Sequence, residues 1–197
     1  MVKDVITECL ILLDNFELKT KIDNINTKSN LNEELALLNP KDKETIEILL
    51  NSLKNVINSV TRNFLKNYTI ERVRSDNDCK ISYDKFSKPV ISIKSVTDEI
   101  NGQIVFKSFF DHLKVPYKNM NFDVCYAFET TDFKSLFEEI EVPLGLTCYC
   151  LALGVVSAYL QIKLLYSEAE LFESKFKAEL DDIKPNSGTR SFFVWRN

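Results

Sequence analysis

The chain has 197 residues, enough for one domain or two small ones with an interior that needs no covalent staples. Its 45% hydrophobic and 27% charged residues exclude a disordered chain. A formal net charge of −4 argues against a dedicated nucleic-acid binder but leaves room for local basic patches.

Val2, Val5, Ile6, Cys9, Leu10 and Leu13 recur at helical spacing, which predicts a short amphipathic helix over residues 2–14. Acidic residues interrupt that apolar run and no cleavage-like site follows it, so a secretory signal is not expected. Residues 15–39 are polar and rich in asparagine, broken by Leu31, Leu35 and Leu38, and read as a loop with one short helix. Asn39-Pro40 then gives a helix start, with asparagine as cap and proline at the first helical position. The helix predicted from there to about Asn67 carries Ile46, Leu49, Leu50, Leu53, Val56, Ile57, Val60 and Phe64 in one stripe.

The period changes after Tyr68. Ile81 and Tyr83, Ile91 and Ile93, and Ile104 and Phe106 alternate with polar neighbours. Phe122, Val124, Tyr126 and Phe128 share one face of a later strand, with Asp123 and Cys125 on the other. Such alternation marks half-buried antiparallel strands. Asn101-Gly102 is a two-residue hairpin signal, because both positions tolerate positive φ. Four or five antiparallel strands are expected over 68–131.

Helix is expected to return afterwards. Asp132 is placed to cap a short turn at 133–140, and Pro143 suits the first position of a long apolar helix. Ser167 and Glu170 have capping-box spacing, which starts a separate amphipathic helix or falls within one continuous rod, ended by Lys184-Pro185. The stretch 142–162 has no charged residue and enough length for a bilayer, so a membrane anchor is the alternative reading. Gly145, Thr147, Tyr149, Gly154, Ser157, Tyr159 and Gln161 dilute it, and strong basic flanks are missing, which favours a buried core helix. The fold class is therefore α+β. Residues 1–67 and 132–184 are expected to form a helical bundle from both ends of the chain, around an antiparallel β insertion at 68–131. Residues 185–197 are left as a docking tail.

No catalytic constellation emerges, and neither an enzyme nor a cofactor is expected. His112 stands beside Asp111, but neighbours on a strand point apart, and no nucleophile motif accompanies them. Gly102, Gly145, Gly154 and Gly188 are too scattered for a phosphate loop. Cys9, Cys79, Cys125, Cys148 and Cys150 are odd in number and mostly flanked by apolar residues, so buried free thiols are expected. On a helix the two thiols of Cys148-Tyr-Cys150 diverge by about 200°. One histidine and no second cysteine pair argue against zinc. Glu138, Glu139 and Glu141 read as a solvated acidic helix end.

The tail carries the candidate site. Asn186-Ser-Gly-Thr189 reads as a hinge before Arg190, Phe192, Phe193, Trp195 and Arg196. These apolar side chains either fold back on their own domain or dock on another subunit, where tryptophan, phenylalanine and arginine make good anchors.

The order of parts resembles tailed-bacteriophage and prophage head-to-tail connector, or adaptor, proteins of the tail tubular type. The pieces that carry the likeness are Asp4-Val-Ile-Thr-Glu-Cys-Leu-Ile-Leu-Leu13, Leu50-Asn-Ser-Leu-Lys-Asn-Val-Ile-Asn58, Lys80-Ile-Ser-Tyr-Asp84 and Pro89-Val-Ile-Ser-Ile-Lys-Ser-Val96. Asp123-Val-Cys-Tyr-Ala-Phe128, Leu151-Ala-Leu-Gly-Val-Val-Ser-Ala-Tyr159 and Glu168-Ala-Glu-Leu-Phe-Glu-Ser-Lys-Phe176 complete the set. The chain departs from the pattern at Ala158, where the family often has an acid, and in a tail lacking paired arginines before its tryptophan. The resemblance implies no catalytic residues. It implies a homo-oligomeric ring in the virion neck, assembled in the bacterial host cytoplasm, with portal and tail proteins as partners. DNA would pass through its channel without sequence-specific binding, and no membrane would be involved.

Overall fold

The computed structural model describes residues 1–26, 30–100, 102–143 and 145–183 of an α+β chain. They divide into two units, the first holding residues 1–56, 134–140 and the segment that carries the last two helices, the second holding 57–133 and 141–143.

In the first unit, α1 (Val2–Leu12) buries Val2, Val5, Ile6, Cys9 and Leu10, the stripe its spacing predicts. The asparagine-rich block holds two short helices where one was expected, α2 (Phe16–Asp23) and α3 (Leu31–Leu35). Asparagine starts both: Asn15 Oδ1 accepts from the Leu18 N–H and Asn30 Oδ1 from the Glu33 N–H. Asn39 repeats the device for α4 (Pro40–Asn63), accepting from the Asp42 N–H at 2.9 Å. Helix α4 stops four residues short of Asn67, its stripe buried from Ile46 to Val60 and Phe64 exposed.

The long apolar helix is shorter than its charge-free stretch. Helix α5 (Cys148–Ile162) begins at Thr147, whose hydroxyl accepts from the Cys150 N–H, and not at Pro143. Its 15 residues span about 22 Å at 1.5 Å each, against the roughly 30 Å of a bilayer core. Among the described residues no helix is long and apolar enough to cross a membrane.

Nor does a helical turn form at 133–140. The N–H groups of Val2 and Lys3, left without partners at the start of α1, take the carbonyls of Glu138 and Leu136 at 2.9 and 2.7 Å. Within the segment the Glu138 N–H donates to the Ser135 carbonyl at 3.3 Å, so a single turn forms at 135–138 and no helix. Glu34, 1% exposed, fixes it further by accepting from the Ser135 hydroxyl at 2.6 Å and the Leu136 N–H at 2.7 Å.

Helix α6 (Tyr166–Ile183) is separate from α5, and the break is Leu164 at φ 61°, a left-handed residue. Ser167 lies inside its first turn, so the Ser167–Glu170 capping box does not form. Helices α1 and α6 pack on α5, which buries every residue from Cys150 to Ser157. Gly154 permits this: a Cβ there would sit 3.0 Å from Val56 Cγ1 of α4 and 3.0 Å from Phe176 Cζ of α6. The Ser157 hydroxyl donates to the Ala169 carbonyl at 3.0 Å.

The second unit holds seven described strands where four or five were expected, because several are only two or three residues long. One antiparallel sheet has the order β1 (Tyr68–Arg74), β7 (Asn121–Phe128), β3 (Val90–Asp98), β4 (Gly102–Gln103). A smaller one has the order β2 (Lys80–Ser82), β6 (His112–Lys114), β5 (Lys107–Ser108). Phe122, Val124, Tyr126 and Phe128 are buried as their alternation predicts, against Val73, Ile81, Phe86, Val96 and Leu113. Of the Asn101-Gly102 hairpin signal, Asn101 lies outside the described residues; Gly102, at φ 69°, pairs with Asp98. Ile104 and Phe106 lie between β4 and β5 instead of in a strand.

Candidate functional site

The expected docking residues Arg190, Phe192, Phe193, Trp195 and Arg196 lie outside the described residues. The groups weighed as chemical sites resolve differently. Glu138 Oε2 accepts from the Lys134 N–H at 2.7 Å, and Glu141 pairs with Lys88, so each acid has its own structural duty and neither ends a helix. All five cysteines are free, but only Cys9 and Cys150 are buried, and Cys148 is exposed. Burial pushes the Cys9, Cys148 and Cys150 thiols up, Cys150 to about 11, which keeps them from acting as thiolates near neutral pH. Among the described residues no three histidines, cysteines or acids gather as metal ligands.

His112 corrects the expectation made for it. Asp111 precedes the first residue of β6, so strand alternation does not separate the two side chains, and Asp111 Oδ1 lies 2.7 Å from His112 Nδ1. That contact, then the Asp111 backbone N–H, holds the Asp111 carboxyl below its usual range. The imidazole also stacks on Phe109, ring centroids 4.7 Å apart and planes within 7° of parallel. Among the described residues the imidazole's side-chain contacts are Asp111 and Phe109. It reads as the brace of a hairpin.

That hairpin organises the most distinctive surface of the second unit. Phe109 N–H donates to the His112 carbonyl at 2.8 Å, so Phe110 and Asp111 form the turn between β5 and β6. Phe110 is fully exposed at 101% and Val105 at 88%. The register then sets the outer face. Lys114 pairs with Lys80 on one side and Lys107 on the other, and His112 pairs with Ser82. Paired residues share a face, so three lysines stand in one row across three strands, above a second row of Ser82, His112 and Phe109. Leu113 and Ile81, one step along, face the core at 0% exposure.

Local chemistry fixes the ends of the row. Asp76 Oδ1 accepts from the Asp78 and Lys80 N–H groups at 2.9 and 2.7 Å, folding the turn that delivers Lys80 to β2. Those bonds, the Lys80 one foremost, hold the Asp76 carboxyl low. Beside the row lies a cleft of about 300 Å³ lined by Val105, Phe106, Lys107, Phe109, Lys114, Val115 and Pro116. The sequence carries a signal for two of the three lysines only. Lys107-Ser-Phe-Phe-Asp-His-Leu-Lys114 is symmetric about Phe110-Asp111, and folding it as a hairpin pairs its two lysines.

In the first unit a second exposed patch stands at the turn between α5 and α6. Ile162, Leu164, Leu165 and Tyr166 are 57, 68, 46 and 59% exposed within five consecutive residues. A scan against protein-family models gives no match for this chain, and neither does a search of curated proteins.

Proposed function

We propose that this chain is a non-enzymatic structural protein of a tailed-phage virion, a ring-forming connector subunit in the neck between portal and tail. The observation that carries the reading is the apolar turn between α5 and α6. Four large apolar side chains in five residues are more than a surface turn needs, and contiguous apolar exposure of this kind marks protein interfaces. A neighbouring copy is the occupant proposed for it. The α+β order of elements and the ordered resemblance of the sequence segments support the same assignment. On this reading helices from both ends of the chain act together as a bundle. The tail residues Arg190, Phe192, Phe193, Trp195 and Arg196 supply a second anchor, and DNA passes through the ring without sequence-specific contacts. Assembly would take place in the bacterial host cytoplasm.

Native mass spectrometry and negative-stain imaging of the full chain test the reading directly. Closed rings, or capture of purified portal or tail protein, are the expected results. A strictly monomeric protein that binds neither partner refutes it. Leu164→Gly sharpens the test. It relieves a left-handed residue, worth about 1 kcal/mol of added monomer stability, while removing an apolar contact of the proposed interface. The variant is expected to melt higher and assemble more weakly.

A further inference from the structure

We propose that the outer face of the small sheet is a binding surface for the sugar-phosphate backbone of nucleic acid, with Lys80, Lys107 and Lys114 as its phosphate contacts. The inference stands on strand register alone and holds whether or not the chain forms a ring. Cations directly opposite one another on neighbouring strands repel, so a sheet face built for stability alternates their signs. Here three lysines occupy one row, and the central one has a lysine on each side. Among the described residues Lys107 and Lys114 have no recorded acidic partner. Only Lys80 feels acids, through Asp76 and Asp111.

The arrangement fits an extended polyanion better than a single ion. Side chains on adjacent strands stand about 5 Å apart, so the row spreads its three ammonium groups over roughly 10 Å. A chain of phosphates carrying one charge per few ångströms can meet all three, whereas a lone anion meets one or two. The second row adds a flat partner: Phe109 and His112 lie in parallel beside the lysines, and ring faces of this kind stack on unpaired bases. The overall charge of −4 is no obstacle, because a phosphate strand senses the local face. The segment from Lys107 to Lys118 holds three lysines and one acid, Asp111, which is engaged by His112. No base-edge reader stands in the row, so binding should be indifferent to sequence.

The experiment uses the full chain and two fluorescent probes, a single-stranded and a duplex DNA of mixed sequence, titrated at several salt concentrations. Three phosphate contacts predict a log–log salt slope near −2 for the single strand and near −3 for the duplex, so affinity falls roughly 15- to 40-fold between 50 and 200 mM salt. The Lys107→Gln, Lys114→Gln double variant should lose about two units of that slope, each single variant about one, and Lys41→Gln on α4 none. A Phe109→Ala loss confined to the single strand would identify stacking on unpaired bases, and no loss on either probe would identify contacts to the phosphate backbone alone. Circular dichroism of each variant checks the fold, and the slope of the unaltered protein tests the proposal even should a variant unfold. Three results would overturn it: no binding at low salt, a salt slope unchanged in the double variant, or displacement by poly-glutamate as effective as by unlabelled DNA. The last would reassign the face to an acidic protein surface.

Discussion

Gly154→Ala is the substitution on which the packing of the first unit turns. In most helix interiors this change stabilises by about 1 kcal/mol, because glycine is the costlier residue to order there. At position 154 the new methyl would meet Val56 Cγ1 at 3.0 Å and Phe176 at 3.0 and 3.1 Å. Those atoms belong to α4 and α6, so relief requires adjustment at both contacts. Overpacking of this kind costs about 1–3 kcal/mol. Subtracting the propensity gain leaves a net loss of about 1 kcal/mol, or roughly 2–4 °C in a chain of this size. Urea unfolding followed by far-ultraviolet circular dichroism measures it. In a Phe176→Leu background, where the ring tip is gone, the same substitution should cost less by at least about 0.5 kcal/mol. A Gly154→Ala protein more stable than the original, with no coupling to Phe176, would show that α5 is not wedged between its neighbours and would refute the reasoning.

Four further outcomes follow from the geometry. Glu34→Ala removes the acceptor of two hydrogen bonds and leaves the Leu136 N–H without its partner; a loss of about 1–3 kcal/mol in chemical denaturation is expected. Glu71 accepts from the hydroxyls of Ser87 and Tyr126 and from the Ser87 N–H at 3.0 Å. Burial pushes its carboxyl up, but these donors outweigh burial and leave it below 4.5, so the stability they supply is complete above 4.5 and lost as the pH falls below it. Burial, then Glu71, pushes Tyr126 up to about 12 from 10.0, so an alkaline loss between those values should flatten in Tyr126→Phe when unfolding is measured against pH. Lys114→Thr removes the central cation of the row and should raise stability by about 0.2–1 kcal/mol while weakening DNA binding, as thermal unfolding and titration would show.

The elements that the sequence announced are those whose cause is local. A stripe at the helical period is a property of one segment, so α1 and α4 could be read directly, as could β7 with Phe122, Val124, Tyr126 and Phe128 inward. Errors arose where a specific contact, local or distant in sequence, decided the outcome. Residues 133–140 looked like a capped helical turn, yet only a single turn forms at 135–138, and its Leu136 and Glu138 carbonyls take the first N–H groups of α1. Pro143 suited a first helical position, but Thr147 holds the Cys150 N–H and starts α5 there. The acidic run 138–141 looked like one helix end, although Glu138 and Glu141 serve separate local contacts. In each case a side-chain or backbone contact that propensity does not weigh decided the outcome.

The lysine row was illegible for a related reason, and it shows what register adds to composition. Lys80, Lys107 and Lys114 each sit beside apolar residues and look like the ordinary solvent-facing charges of alternating strands, and no short window of the sequence brings all three together. Pairing does: β6 takes β2 on one edge and β5 on the other, at one register step, and three unremarkable lysines become one face. A one-residue slip of β6 against β2 would part Lys114 from Lys80 and bring Leu113 opposite a residue that does not face the core, whereas Ser108, its partner on β5, is itself exposed. Leu113 and Ile81, both at 0% exposure, therefore hold the register that keeps the cations aligned. Apolar burial on the inner face of the sheet thus sets the charge pattern on its outer face.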